Sequence, residues 1–188
     1  RIEFAMMPLD ARIGIDAAGA IHTFRVVPIA ATPAAPATAD DPFIEREVAV
    51  AGLGGTLTLP RGSGPFPALL LVHGSGANDR DQTVGPNRPF LDLSRGLATQ
   101  GIAVLRYEKR TRARPQDFTG KSFTVDDEVI DDAVAAIAVL RSEPGIDPTQ
   151  VYLGGMSLGA MLVPRIALRS PQLAGLILLS GPARDLLE

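Results

Sequence analysis

Apolar and polar residues alternate through residues 1–27: Ile2, Phe4 and Met6, then Ile13 and Ile15, then Ile21, Phe24 and Val26. A period of two belongs to a strand with one buried face. Asp16-Ala17-Ala18-Gly19 is a turn signal between two such runs. The segment therefore predicts a β-hairpin. Two strands alone are marginal in water, so the hairpin is expected to close a terminal domain that begins before this sequence. The alternation stops at residues 28–42, PIAATPAAPATADDP, where proline and alanine dominate. Such composition predicts a semi-extended linker and a domain boundary.

The pattern changes again from Phe43. Residues 43–50 and 55–59 read as strands joined by a Gly52-Leu53-Gly54 turn. Residues 68–72 are apolar without interruption, as in a strand buried on both faces. Residues 89–99 place Phe90, Leu93 and Leu97 on one helical face, and 102–107 reads as the next strand. Thr124 predicts an N-cap with Asp127 as its capping-box partner, and Asp126, Asp127 and Glu128 suit the positive end of a helix. Ile130, Val134, Ile137 and Leu140 would line the inner face of that helix, which Pro144-Gly145 ends. A strand at 151–154, a helix at 158–169 and a strand at 173–179 complete the series. Strands alternating with helices predict an α/β fold over residues 43–188, a mostly parallel sheet with helices on both faces.

Composition narrows the chemistry. The 188 residues include no cysteine, which excludes disulfides, thiol nucleophiles and zinc–thiolate sites and leaves the compartment open between cytoplasm and export. A net charge of -3 provides no electrostatic footprint for nucleic acid. No apolar run approaches the ~20 residues that span a bilayer. The two histidines are His22 and His73, and most hydrolytic mechanisms need one at a particular place.

One motif carries chemistry. Gly155-Met156-Ser157-Leu158-Gly159 has the form G-x-S-x-G, with strand residues before it and helix residues after it. A serine on so tight a strand-to-helix turn is held in strained backbone that lifts its hydroxyl above the sheet. Residues two before and two after come too close for side chains, which suits Gly155 and Gly159. The Leu158 N–H opens the helix and is a natural oxyanion donor. A second glycine-flanked stretch, His73-Gly74-Ser75-Gly76, comes directly after the apolar strand at 68–72. The Ser75 N–H is expected to be the second donor, with Gly76 as the alternative. The glycines match neither a P-loop nor a dinucleotide fingerprint, since Ala160 and Met161 come after Gly159.

With both motifs placed, the chain resembles the α/β-hydrolase superfamily. Residues 73–110 are similar to a bacterial serine esterase branch close to dienelactone-hydrolase-like and serine-peptidase-like members. Asn78-Asp79-Arg80-Asp81, Gly85-Pro86-Asn87 and 101–107 carry that likeness. The resemblance implies a partial α/β-hydrolase fold over about residues 43–188, preceded by the hairpin and linker. It implies Ser157 as nucleophile, Leu158 and the Ser75 region as oxyanion hole, a small-molecule ester as substrate, and no metal or organic cofactor. Family order places an acid and then a histidine after the serine, and no histidine comes after Ser157. The base is therefore expected beyond residue 188, in a hydrolase cut short at both ends, with feeble activity if the chain stood alone.

Other residues read more plainly. His73 is expected to brace its loop through hydrogen bonds, and His22 to be a surface or packing residue. Asp185 is a weaker candidate acid, and like Glu188 reads as solvated. Asp79, Arg80 and Asp81 read as a solvated, self-paired cluster, with substrate contact as the rival; Glu108 and Arg110 read as a pair anchoring a loop. A peptidase, an acyltransferase and a non-catalytic hydrolase-like module stay open beside the esterase. The strand at 173–179 is expected to form an open apolar edge, an aggregation hazard.

Overall fold

A computed structural model describes residues 9–28 and 35–181. The first residues of the expected hairpin, the middle of the expected linker, and Asp185 and Glu188 lie outside the described residues, as does the side chain of His22. Strands β1 (Leu9–Ile15) and β2 (Ile21–Pro28) pair antiparallel as a two-stranded sheet of their own. The Asp16 carboxylate accepts the N–H groups of Ala18 and Ala20, which closes the turn between them.

The remaining strands are β3 (Phe43–Val50), β4 (Leu53–Pro60), β5 (Phe66–Val72), β6 (Ala103–Tyr107), β7 (Ile146–Met156) and β8 (Gly175–Leu179). They form one sheet in the order β3-β4-β6-β5-β7-β8. β3, β4 and β6 pair antiparallel, while β6, β5, β7 and β8 run parallel. The turn into β4 is shorter than the glycine spacing implied. Ala51 and Gly52 take φ of 48° and 77°, so two residues with positive φ reverse the chain, and Leu53 is a buried strand residue. Paired positive-φ residues match the right-handed twist of a hairpin.

Helices α1 (Pro89–Ala98), α2 (Arg110–Ala113), α3 (Asp131–Ser142) and α4 (Leu158–Arg169) lie in the connections between the parallel strands. Both faces of the sheet are covered, and β5 shows why its residues read as one apolar run. Leu70 and Val72 pack into the larger core with α3 and α4, whereas Leu69 and Leu71 pack with Phe90 of α1 and Val104. Helix α1 is buried through Phe90, Leu91 and Ser94, with Leu93 and Leu97 half-buried against the same cluster. The expected capping box forms, since the Asp127 carboxylate accepts the Thr124 N–H at 2.8 Å and the Thr124 hydroxyl accepts the Asp127 N–H at 3.4 Å. The next residues, Asp126–Ile130, form a wide π-type turn rather than α-helix, and α3 begins only at Asp131. Ile130, Ile137 and Leu140 are buried as expected, with Ala133 and Ala136 between them and Val134 half-buried. Strand β8 lies at the edge of the sheet, with Leu178 55% exposed.

Candidate active site

Parallel order brings the carboxyl ends of β5, β6, β7 and β8 to one edge of the sheet. After β5 the chain crosses to β6 on one side, then returns to β7 on the other, and a crevice forms where such connections diverge. Four segments meet there: residues 73–76 after β5, 108–110 after β6, Ser157 after β7 and Ser180 after β8.

Ser157 is the single residue between β7 and α4. Its φ of 54° and ψ of −115° are strained for a residue with a side chain. The strain persists because both neighbours hold it: the Ser157 N–H donates to the Leu179 carbonyl at the end of β8 at 2.9 Å, and the Ser157 carbonyl accepts the Met161 N–H at 3.1 Å. The side chain is exposed and makes no capping hydrogen bond to α4. Leu158 is the first residue of that helix, so its N–H precedes the intrahelical ladder and faces the helix entrance.

The flanking glycines are sterically required. A Cβ on Gly155 would lie 2.5 Å from the Gly159 carbonyl oxygen and 2.7 Å from the Ala160 nitrogen. A Cβ on Gly159 would lie 2.6 Å from the His73 carbonyl oxygen and closer still to that of Val72. Helix α4 therefore rests directly on the end of β5. The same closeness sets the second loop beside the serine, since a Cβ on Gly74 would meet the Ser157 Cβ at 3.4 Å. Ser75 and Gly76 come next on the exposed rim, Gly76 with φ of 93°.

His73 lies behind this rim with 1% of its surface exposed, between the rings of Phe90 (5.5 Å) and Tyr107 (5.1 Å). Burial, with the nearby Lys109 cation, pushes its pKa down to about 4, and backbone hydrogen bonding by Tyr107 and Asp79 offsets only part of this. The ring is neutral at pH 7, and its Nε2 has no hydrogen-bond partner. His73 thus braces its loop through backbone hydrogen bonds with Tyr107 and Asp79 and by packing between the two rings.

Arg80 and Asp81 are cross-linked to the sheet rather than to each other, while the Asp79 carboxylate accepts the N–H groups of Asp81 and Thr83 within the loop. Arg80 donates to Glu47 on β3 at 2.6 Å, to Glu108 at 2.8 Å and to the Thr56 hydroxyl on β4. Asp81 pairs with Arg106 of β6, which is buried and also binds Glu45 and Ser94. Burial penalises the Glu45 carboxylate, yet Arg95 and Arg106 hold its pKa below the ordinary range; burial pushes Asp81 up despite Arg106. The anticipated Glu108–Arg110 pair does not form: Glu108 meets Arg80 and Arg112, and Arg110 meets Asp132 of α3. These guanidinium groups fasten the loop to β3, β4 and β6, so their carboxylates are committed to structure.

Three side chains hold Gly74, and of these the sequence pattern names only Asn78, as part of the 78–81 motif. The Gln82 side-chain oxygen accepts the Gly74 N–H at 3.1 Å. Its carbonyl accepts Lys109 Nζ at 2.9 Å and Asn78 Nδ2 at 3.0 Å. The signal for Lys109 was its place just past the end of a parallel strand, at the edge where such folds bind ligands.

No family model matches the chain. Esterase EstD of Thermotoga maritima is 50% identical over 146 residues, which are 78% of this chain and 34% of that protein. The chain thus spans about a third of the length of the curated relative it matches. Among solved structures, the esterase Est22 superposes with a TM-score of 0.57 at 19% identity, covering 76% of this chain and 46% of that one. A bacterial heroin esterase gives 0.53 at 26% identity, covering 70% and 42%. The chain has the α/β-hydrolase fold. In this fold the sheet order, the Ser157 turn and the loop after β5 together form the edge just described. Among the described residues, no helix is long and apolar enough to cross a membrane.

Proposed function

We propose that the polypeptide carrying this sequence is a serine esterase that cleaves small carboxylic esters through an acyl-enzyme on Ser157. One observation carries the reading: Ser157 stands exposed at a strained turn, with a helix N-terminus on one side and the Gly74 loop packed against its Cβ. The Ser157 Oγ attacks the ester carbonyl and its proton passes to a general base. The carbonyl oxygen takes the negative charge, which the N–H groups of Leu158 and Ser75 stabilise, with Gly76 the alternative second donor. One such donor is worth ~2.7–4 kcal/mol in the transition state. The tetrahedral adduct collapses, the alcohol leaves with the proton, and water then releases the acid from Ser157 by the same steps in reverse.

The base is a histidine other than His73, whose low pKa and packing between two rings make it a poor proton acceptor at neutral pH. The order of serine, acid and histidine in this fold puts the histidine beyond residue 188 and the acid between Ser157 and that histidine, with Asp185 the weaker candidate. The names of Esterase EstD and the heroin esterase favour an ester over an amide as substrate. In the full-length polypeptide, Ser157→Ala is expected to abolish hydrolysis of p-nitrophenyl esters and labelling by a fluorophosphonate. Unchanged turnover would reject the nucleophile, and preference for an aminoacyl anilide over the ester would make the protein a peptidase.

A further inference from the structure

The Gly74–Ser75 peptide group is shared by two very different environments. Its N–H belongs to Ser75 and sits on the exposed rim beside Ser157, whereas its carbonyl belongs to Gly74 and points into buried protein. In a trans peptide the carbonyl and the next N–H point in opposite directions across one rigid plane. Whatever grips the Gly74 oxygen therefore aims the Ser75 hydrogen.

Two side chains grip it. Lys109 Nζ donates at 2.9 Å and Asn78 Nδ2 at 3.0 Å, and Asn78 also donates to the Ser75 carbonyl at 3.0 Å, which fixes the next peptide plane as well. The two holders are tied together, since the Lys109 N–H donates to the Asn78 carbonyl at 3.3 Å. Lys109 is 2% exposed, an unusual place for an ammonium, and is accompanied by Glu128 at 2.7 Å. Glu128 stands in the π-type turn Asp126–Ile130, pinned by the Thr124–Asp127 capping box. Interruptions of this kind recur at functional sites. A buried cation is a costly way to satisfy one carbonyl that a neutral donor would satisfy equally well. What the cation adds is polarisation: charge drawn toward the carbonyl oxygen leaves the N–H of the same amide a stronger donor.

We infer that Lys109 and Asn78 are positioning residues, which clamp the Gly74 carbonyl so that the Ser75 amide is aimed and strengthened as an oxyanion donor. Glu128 keeps the Lys109 ammonium in place and compensates its charge. The inference rests on the reading of Ser157 as nucleophile and Ser75 as donor. It adds that the hole is tuned from behind by an ion pair that never touches substrate.

The test uses the full-length polypeptide with three variants: Asn78→Ala, Lys109→Met, and Lys109→Met combined with Glu128→Gln, which leaves no unpaired buried carboxylate. Circular dichroism and thermal melting establish which variants are folded. In the folded Lys109 variant, kcat for a p-nitrophenyl ester is expected to fall about 10- to 100-fold with KM little changed, less than deletion of a donor would cost. Affinity for a trifluoromethyl ketone, whose serine adduct carries an oxyanion, falls by the same factor, while affinity for the alcohol product stays constant. Asn78→Ala shows the same pattern in milder form. If the folded double variant keeps its kcat and ketone affinity while a fluorophosphonate still labels Ser157, the clamp is wrong and the esterase reading stands. If the fluorophosphonate does not label Ser157 in the unmodified protein, the esterase reading fails and the clamp with it.

Discussion

Gly159→Ala tests how closely the elbow depends on the strand that carries the second loop. The added methyl would stand 2.6 Å from the His73 carbonyl oxygen, where ordinary contact begins near 3.4 Å, and would meet the Val72 carbonyl as well. Both obstacles are backbone, so no side-chain rotation relieves them. Helix α4 must withdraw from the end of β5 by about 1 Å, the distance the nearer Val72 carbonyl demands, at a cost of about 1–3 kcal/mol from overpacking. The larger effect is on rate. Leu158 moves with α4 and Ser75 with β5, so one methyl separates the two proposed oxyanion donors. A displacement near 1 Å costs on the order of 10²-fold in rate. Steady-state kinetics on a p-nitrophenyl ester, with a parallel urea titration, should show kcat down by about 100-fold and the midpoint lowered. A Gly159→Ala protein with wild-type kcat would mean that α4 and β5 do not set the donor geometry, and the assignment of Leu158 and Ser75 would have to be abandoned.

Gly96 and His73 offer two further tests. Gly96, inside α1, has open space where a Cβ would go and no unusual φ, so Gly96→Ala should stabilise the protein by about 0.5–1 kcal/mol in a denaturant titration, with unchanged ester turnover. His73 takes up its proton near pH 4 in the folded state but near its ordinary 6.5 when unfolded. The unfolded chain therefore binds the extra proton first, and folding loses about 3 kcal/mol as pH falls from 6.5 to 4. A His73→Leu variant lacks that proton, so its stability should decline less steeply over this interval. Parallel slopes for the two proteins would show that His73 is not buried neutral.

The elbow could be read from the chain because its geometry is recorded in residue type. Only glycine fits at 155 and 159, and that demand survives as a motif even though the atoms it avoids belong partly to Val72 and His73. The buried strand 68–72 was legible for the same reason, since both faces meet apolar cores. The capping box of Thr124 and Asp127 is local and forms as expected, but the π-type turn after it has no counterpart in the hydrophobic period. The charge pairs differ from those expected. Arg80 finds Glu47 and Glu108, 33 and 28 residues away, and charge alone cannot say which of many carboxylates a guanidinium will meet.

Chain order and residue type by themselves determined the alternation of strands and helices, the serine turn and the glycine loop that would face it. Those features are recorded in residue type, because backbone conformation and close approach leave room for glycine alone at 155 and 159. Only the tertiary structure decided that β6 lies between β4 and β5, and thereby that Lys109 reaches back 35 residues to the Gly74 carbonyl. Strand order sets which ends become neighbours, and a buried ammonium finds its partners only after the sheet has brought those ends together.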